Sequence, residues 1–182
     1  MRTDGNLYEQ TLKKKDIFEG RIINVHVDDI MLPNGKEAKR EVVEHPGGVC
    51  VVVLNDKDEI ALVRQYRYPY KEIVLEVPAG KIEKNEPDPF EAMKREQREE
   101  TGTTGKNYVD LGILYPSPGY CNEKLYMWAC REDKKTDMDL DEDEFLETEY
   151  IALEKAAGMV MSGEIKDAKT QTAILKTFML FN

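Results

Sequence analysis

Residues 1–15 are polar and turn basic at Lys13–Lys15, the composition of a loose arm, and alternation of apolar and polar positions sets in from Ile17. The run IINVHVDDIML (22–32) predicts a strand, Pro33-Asn34-Gly35 a hairpin turn, and EAKREVVEH (37–45) the returning strand. His45-Pro46-Gly47-Gly48 then punctuates the chain, so residues 1–45 read as a separate N-terminal antiparallel sheet and residues 46–182 as the main domain. In that domain GVCVVVL (48–54) is a buried strand, Asn55–Lys57 a turn, and EIALVRQYR (59–67) the antiparallel return. KEIVLEVPAG, YVDLGILYP, KLYMWAC and FLETEYIAL supply four more strands, and EDKKTDMDLDEDE (132–144) reads as a solvated loop. LEKAAGMVMSG and DAKTQTAILKTFMLF predict two C-terminal helices, the second with Ala173, Ile174, Phe178 and Phe181 spaced for core packing. Strands with few intervening helices make the class α+β, with helices flanking a mixed sheet.

One further helix carries chemistry. Asp88 is a good N-cap, Pro89 suits the first helical position, Glu91 stands where a capping-box acid reaches back, and no breaker follows until Gly102, so a helix spans 89–101. At about 100° per residue Glu96 and Glu100 lie one turn apart on the same face, with Glu99 at its edge. Such a cluster is tolerable when solvated, paired with cations or bound to metal. A Glu-rich helix face alone is ordinarily solvated surface. Hard oxygen donors in this number suit Mg²⁺ or Mn²⁺, and Arg95, a turn from both Glu91 and Glu99, is placed to orient Glu99 by a charge-assisted pair.

Composition narrows the partners. A formal net charge of −10 over 182 residues argues against a phosphate-backbone-binding surface, whereas a small diphosphate is compatible where cations invert the local field. Cys50, Cys121 and Cys130 are odd in number and lack CxxC spacing, which fits reduced thiols and a cytoplasmic location, and no apolar stretch approaches a membrane span. No histidine neighbours Cys121 in sequence to make it a nucleophile.

The segment AGKIEKNEPDPFEAMKREQREETGT, Ala79 to Thr103, resembles the Nudix box: Gly80, a distant glutamate at Glu86, then Arg95-Glu96-x-x-Glu99-Glu100-x-Gly102. That family hydrolyses nucleoside diphosphates linked to another moiety. The resemblance implies an α/β/α sandwich with a mixed sheet and the additional N-terminal antiparallel sheet. It also implies two or three Mg²⁺ or Mn²⁺ per site, held by Glu96, Glu99, Glu100 and the carbonyl of Ala79. Two positions depart from the pattern. Pro87 to Lys94 makes eight residues where the family has seven, an insertion able to displace Glu86 while preserving the helical ligands. Gln97 and Thr103 stand where the family prefers aliphatic residues, which weakens the helix's buried stripe to Phe90 and Met93.

The box leaves the substrate open. Pro118, sixteen residues after Gly102 in YPSPGYCNEK, resembles the marker of the ADP-ribose pyrophosphatase branch, and LPNGKEAKREVVEHPGG, VRQYRYP, LEVPAGKIE, SPGYCNEK and LDEDEF extend the likeness. In that branch the glutamate matching Glu123 approaches the metals and serves the attacking water, Gly119–Asn122 let the loop close, and Arg67 matches a substrate-contacting arginine. Arg40 matches one that reaches the neighbouring subunit's substrate. Arg64 and Arg67 end a strand directed at the site, where either could neutralise a phosphate, and Glu76 precedes the box within reach of metal or substrate. Tyr66, Tyr68, Phe18 and Tyr120 are candidates to stack on adenine. The resemblance implies a homodimer with exchanged N-terminal sheets. Hydrolysis of ADP-ribose to AMP and ribose 5-phosphate is the expected reaction, and action on ADP-glucose or GDP-mannose, or a catalytically silent nucleotide-binding module, are the alternatives.

Overall fold

The computed structural model describes residues 7–83, 85, 86, 88–140 and 145–181. They divide into two compact units, Met1–Gly47 with Tyr115–Glu123, and Gly48–Leu114 with Lys124–Asn182.

The first unit is a three-stranded antiparallel sheet in the order β1 (Gln10–Glu19), β2 (Asn24–Met31), β3 (Glu37–Glu44). The arm expected over residues 1–15 is therefore strand from Gln10, and residues 1–6 lie outside the described residues. Cross-strand charge explains the difference. Lys13 and Lys14 stand opposite Asp29 and Asp28, and Lys14 also reaches Glu44 at 2.9 Å, so a basic run that looks like coil finds acidic partners on the ladder. The β2–β3 turn closes with Leu32 N–H donating to Lys36 O at 2.8 Å, and Gly35 supplies its left-handed residue at φ 77°. Loop 115–123 joins this unit through backbone bonds, Val43 N to Tyr120 O at 2.7 Å and Asn122 N to Val43 O at 3.1 Å.

The second unit is built on a seven-stranded mixed sheet. Its strands are β4 (Gly48–Leu54), β5 (Glu59–Arg67), β6 (Glu72–Glu76), β7 (Ala79–Lys81), β8 (Thr103–Leu114), β9 (Leu125–Lys135) and β10 (Leu146–Ala152). The order is β10-β5-β4-β9-β8, with β6 against β5 and β7 against β4; β4 and β9 run parallel. The expected β4–β5 hairpin pairs antiparallel only at Leu54 and Ile60, and β5 continues along β10 and β6. KEIVLEVPAG, read as one strand, breaks into β6 and β7 at Val77-Pro78; Pro78 has no N–H to donate, and its carbonyl instead accepts from Val51 N at 3.0 Å. Part of EDKKTDMDLDEDE is strand too, since β9 runs to Lys135; beyond it Thr136 N bonds Gly102 O at 2.7 Å and Asp139 N bonds Glu99 O at 3.2 Å, and 141–144 lie outside the described residues.

Alternation along β4 sorts the core into two layers. Cys50, Val52 and Leu54 pack with Ile60, Leu62, Met127 and Ala129 against α2 (Leu153–Ser162) and α3 (Ala168–Phe181), whereas Val49, Val51 and Val53 pack with Ala61 and Cys130 against Ala92 and Met93 of α1 (Pro89–Thr101). This is the α/β/α sandwich. Ala173 and Ile174 are buried as their spacing predicts and Phe178 packs beside them, but Phe181 at the helix end is exposed, with Arg131 5.6 Å from its ring.

Candidate active site

Helix α1 begins and ends where its caps dictate. Asp88 accepts from Phe90 N at 2.9 Å, Pro89 opens the helix, and Gly102 at φ 60° closes it with its N–H on Arg98 O at 2.9 Å. Glu91, expected to reach back to the cap, pairs with Lys94 at 2.5 Å. Ala92 and Met93 fix one face on β4, and this places Glu96 and Glu100 against the strand that precedes the helix. Glu100 Oε2 accepts from Ala79 N at 2.9 Å. The Glu96 carboxyl lies where a Cβ on Gly80 would be, so any larger residue there would push the carboxyl aside.

Arg95 gathers three carboxylates: Glu86 at 2.9 Å, Glu96 at 2.9 Å and Glu99 at 2.7 Å. Burial alone would lower its pKa, yet the hydrogen bond to Glu86 and the charges of Glu96 and Glu99 hold it above the ordinary guanidinium value. The insertion before the helix leaves Glu86 on Arg95; Lys84 and Pro87 beside it are outside the described residues. The donors fit a hard divalent cation in their chemistry, because one guanidinium faces three carboxylates and Gly80 clears the space that Glu96 needs. Among the described residues no three such side chains are gathered into a coordination group.

A neighbouring buried stripe of α1 accounts for the two polar departures from the box. Gln97 is fully buried and its Oε1 accepts from Tyr108 Oη at 2.9 Å, while its Nε2 donates to Thr103 Oγ1 at 3.3 Å. Thr101 and Thr103 hydroxyls meet at 2.7 Å. The two polar substitutions thus satisfy each other, and burial pushes the Tyr108 phenol up to about 12, keeping it a neutral donor.

Arg64 and Arg67 separate. Three positions apart on β5, they face opposite sides of the sheet. Arg64 has a loose pair with Glu149 at 3.8 Å, and Arg67 grips Glu76 with Nε and Nη2 at 2.6 and 2.7 Å. The hydrogen bond to Glu76, with smaller contributions from the charges of Asp167 and Glu100, holds Arg67 above the ordinary guanidinium value. Sequence reasoning missed the rest of this cluster. Lys169, buried on α3, binds Glu76 and reaches Asp167 at 2.9 Å; Asp167 accepts from Thr170 N at 2.9 Å, and Thr170 Oγ1 accepts from Val77 N at 2.9 Å. The available signal was a lysine on the apolar stripe, four residues before Ala173.

Glu123, Arg40, Pro118 and Gly119 belong to the first unit. Glu123 stands 3.4 Å from His45 Nδ1, Arg40 pairs with Glu9 at 2.9 Å, and Pro118 and Gly119 are exposed, with open space around Gly119. The four stacking candidates, Phe18, Tyr66, Tyr68 and Tyr120, are all exposed, and Lys71 lies 3.0 Å over the Tyr68 ring.

The NUDIX domain model matches residues 25–172. The chain belongs to the Nudix family. Relatives of this Nudix chain include the ADP-ribose pyrophosphatase of Bacillus subtilis (strain 168), 42% identical over 171 residues that cover 93% of the chain and 92% of that protein. The methanol dehydrogenase activator of Bacillus methanolicus is 38% identical over 173 residues, 93% of each. A solved structure described as an ADP compounds hydrolase superposes with a TM-score of 0.83 over 96% of this chain and 95% of its own; at 22% identity it shows the shared Nudix fold.

Proposed function

We propose that this Nudix chain hydrolyses the pyrophosphate bond of ADP-ribose, giving AMP and ribose 5-phosphate. The observation that carries the reading is likeness to an ADP-ribose pyrophosphatase across 93% of the chain, with Glu96, Glu99 and Glu100 in place on α1. Mg²⁺ or Mn²⁺, two or three per site, would be held by these glutamates and the Ala79 carbonyl, supplying neutralisation of the diphosphate and a more acidic water. Arg95 keeps Glu96 and Glu99 oriented, and Arg67 donates charge-assisted hydrogen bonds to a phosphate. Water adds to one phosphorus as the bridging P–O bond breaks, and Glu123, assigned through its loop's likeness to the family, accepts the proton. Arg40 serves the partner's substrate in the proposed homodimer; the apolar Leu12, Ile17 and Phe18 exposed on β1 support a partner there. A cytoplasmic location agrees with three free cysteines, and no described helix is long and apolar enough to cross a membrane.

The test is turnover with Mg²⁺ over ADP-ribose, ADP-glucose, GDP-mannose, NADH and diadenosine polyphosphates, with products resolved by chromatography. Preferred ADP-ribose cleavage to AMP and ribose 5-phosphate is expected. A different preferred substrate rejects the branch, and no turnover leaves a nucleotide-binding module. Light scattering on the purified protein should give twice the mass of one chain; a monomer at working concentration rejects the exchanged dimer.

A further inference from the structure

Glu76 is a buried carboxylate with two cationic partners of different exposure. The Arg67 side chain is 39% exposed, whereas those of Glu76 and Lys169 are 3% and 10% exposed. Arg67 can therefore turn to a ligand, and Lys169 cannot: it is enclosed between Glu76 and Asp167, with Asp167 in turn fixed by the first turn of α3. Thr170 ties the same turn to Val77, the residue after Glu76.

We infer that Lys169 is a positioning residue for substrate binding, keeping the Glu76 carboxylate paired when Arg67 leaves it for the diphosphate. The inference rests on the assignment of Arg67 to a substrate phosphate. A buried carboxylate stripped of its only cation is strongly penalised, and that penalty would be charged against every binding event in which Arg67 is the sole partner. With Lys169 present, Glu76 retains a charge-assisted bond throughout, and the guanidinium is released at lower cost. Removing Lys169 should thus weaken substrate capture and leave the chemical step alone, because the loss falls on binding common to ground and transition states.

The experiment measures kcat and KM for ADP-ribose with Mg²⁺, beside thermal unfolding, in the wild type, Lys169→Met, Lys169→Gln and Lys169→Arg, with Lys169→Met repeated in a Glu76→Gln background. Gln keeps a donor of hydrogen bonds and so guards against a Met variant that fails to fold. Expected are a KM raised about tenfold with kcat within about twofold for Met and Gln, near-wild-type KM for Arg, and less than about twofold further change in KM when Glu76 is already neutral. A lower melting temperature with unchanged KM overturns the inference by assigning Lys169 to folding alone. Loss of kcat at constant KM, an Arg variant as weak as Gln, or an undiminished KM effect in the Glu76→Gln background overturns it as well. Absence of wild-type turnover is a different failure, since it removes the reading of the site on which the inference stands.

Discussion

Gly80 and Glu96 occupy adjoining space, so a methyl group at position 80 must displace the carboxylate. Gly80→Ala is expected to fold and to lose about 10²-fold in kcat, the scale set by misplacing a catalytic group by about 1 Å; steady-state kinetics beside a circular-dichroism spectrum checks both halves. Glu100→Gln should lose activity that saturating Mg²⁺ does not restore, and normal turnover in that variant would reject the metal assignment. At Gln97 the expected loss is in stability: Gln97→Leu leaves the Tyr108 hydroxyl without its acceptor, while Thr103 keeps Thr101, at about 1–3 kcal/mol by urea unfolding. The residues legible in the sequence were those whose relation is local. Arg95, Glu96, Glu99 and Glu100 follow from helical spacing, whereas the bond from Lys169 to Glu76 spans 93 positions and no periodicity reports it. Gln97 and Thr103 looked like two separate weaknesses because the bonds that Gln97 makes to Thr103 and Tyr108 run from α1 to β8, beyond the end of the helix.

Among the elements, α1 was readable to its ends because Asp88, Pro89 and Gly102 each have one favoured place at a helix terminus. Asp88→Ala is expected to cost about 0.5–2 kcal/mol, again by urea unfolding, and to leave the carboxylate face assembled. Strands were legible where alternation or a continuous apolar run coincided with burial, as in β2 and β4. They were missed where stability comes from a partner: the basic segment of β1 needs the aspartates of β2, and the charged end of β9 continues on its β8 ladder. Pro78 shows the converse, a visible breaker inside an apolar run whose consequence, two strands in place of one, was underweighted.

Across the whole molecule, folding changes how side chains titrate and react. Burial raises Cys50 and Cys130 to about 12, so alkylation of the native protein at pH 8 should label Cys121 alone, with all three labelled in denaturant; intact-mass spectrometry reads the difference. Glu76 works in the opposite direction. Burial would raise its pKa, but the bonds and charges of Arg67 and Lys169 bring it below the usual 4.5. A carboxylate depressed on folding contributes stability above its unfolded pKa and loses it as pH falls through the folded one, so the melting temperature should drop below about pH 4.5 and do so less steeply in Glu76→Gln. The division into two units has a consequence for inheritance. Residues 115–123 are encoded far downstream of the strands they pair with, and Val43 bonds to both Tyr120 and Asn122. A recombination breakpoint near Gly47 would import three foreign strands against a native loop, so variation in β3 and in that loop should be transmitted as linked changes, and homologous exchange between relatives should favour crossovers that carry both segments from one parent.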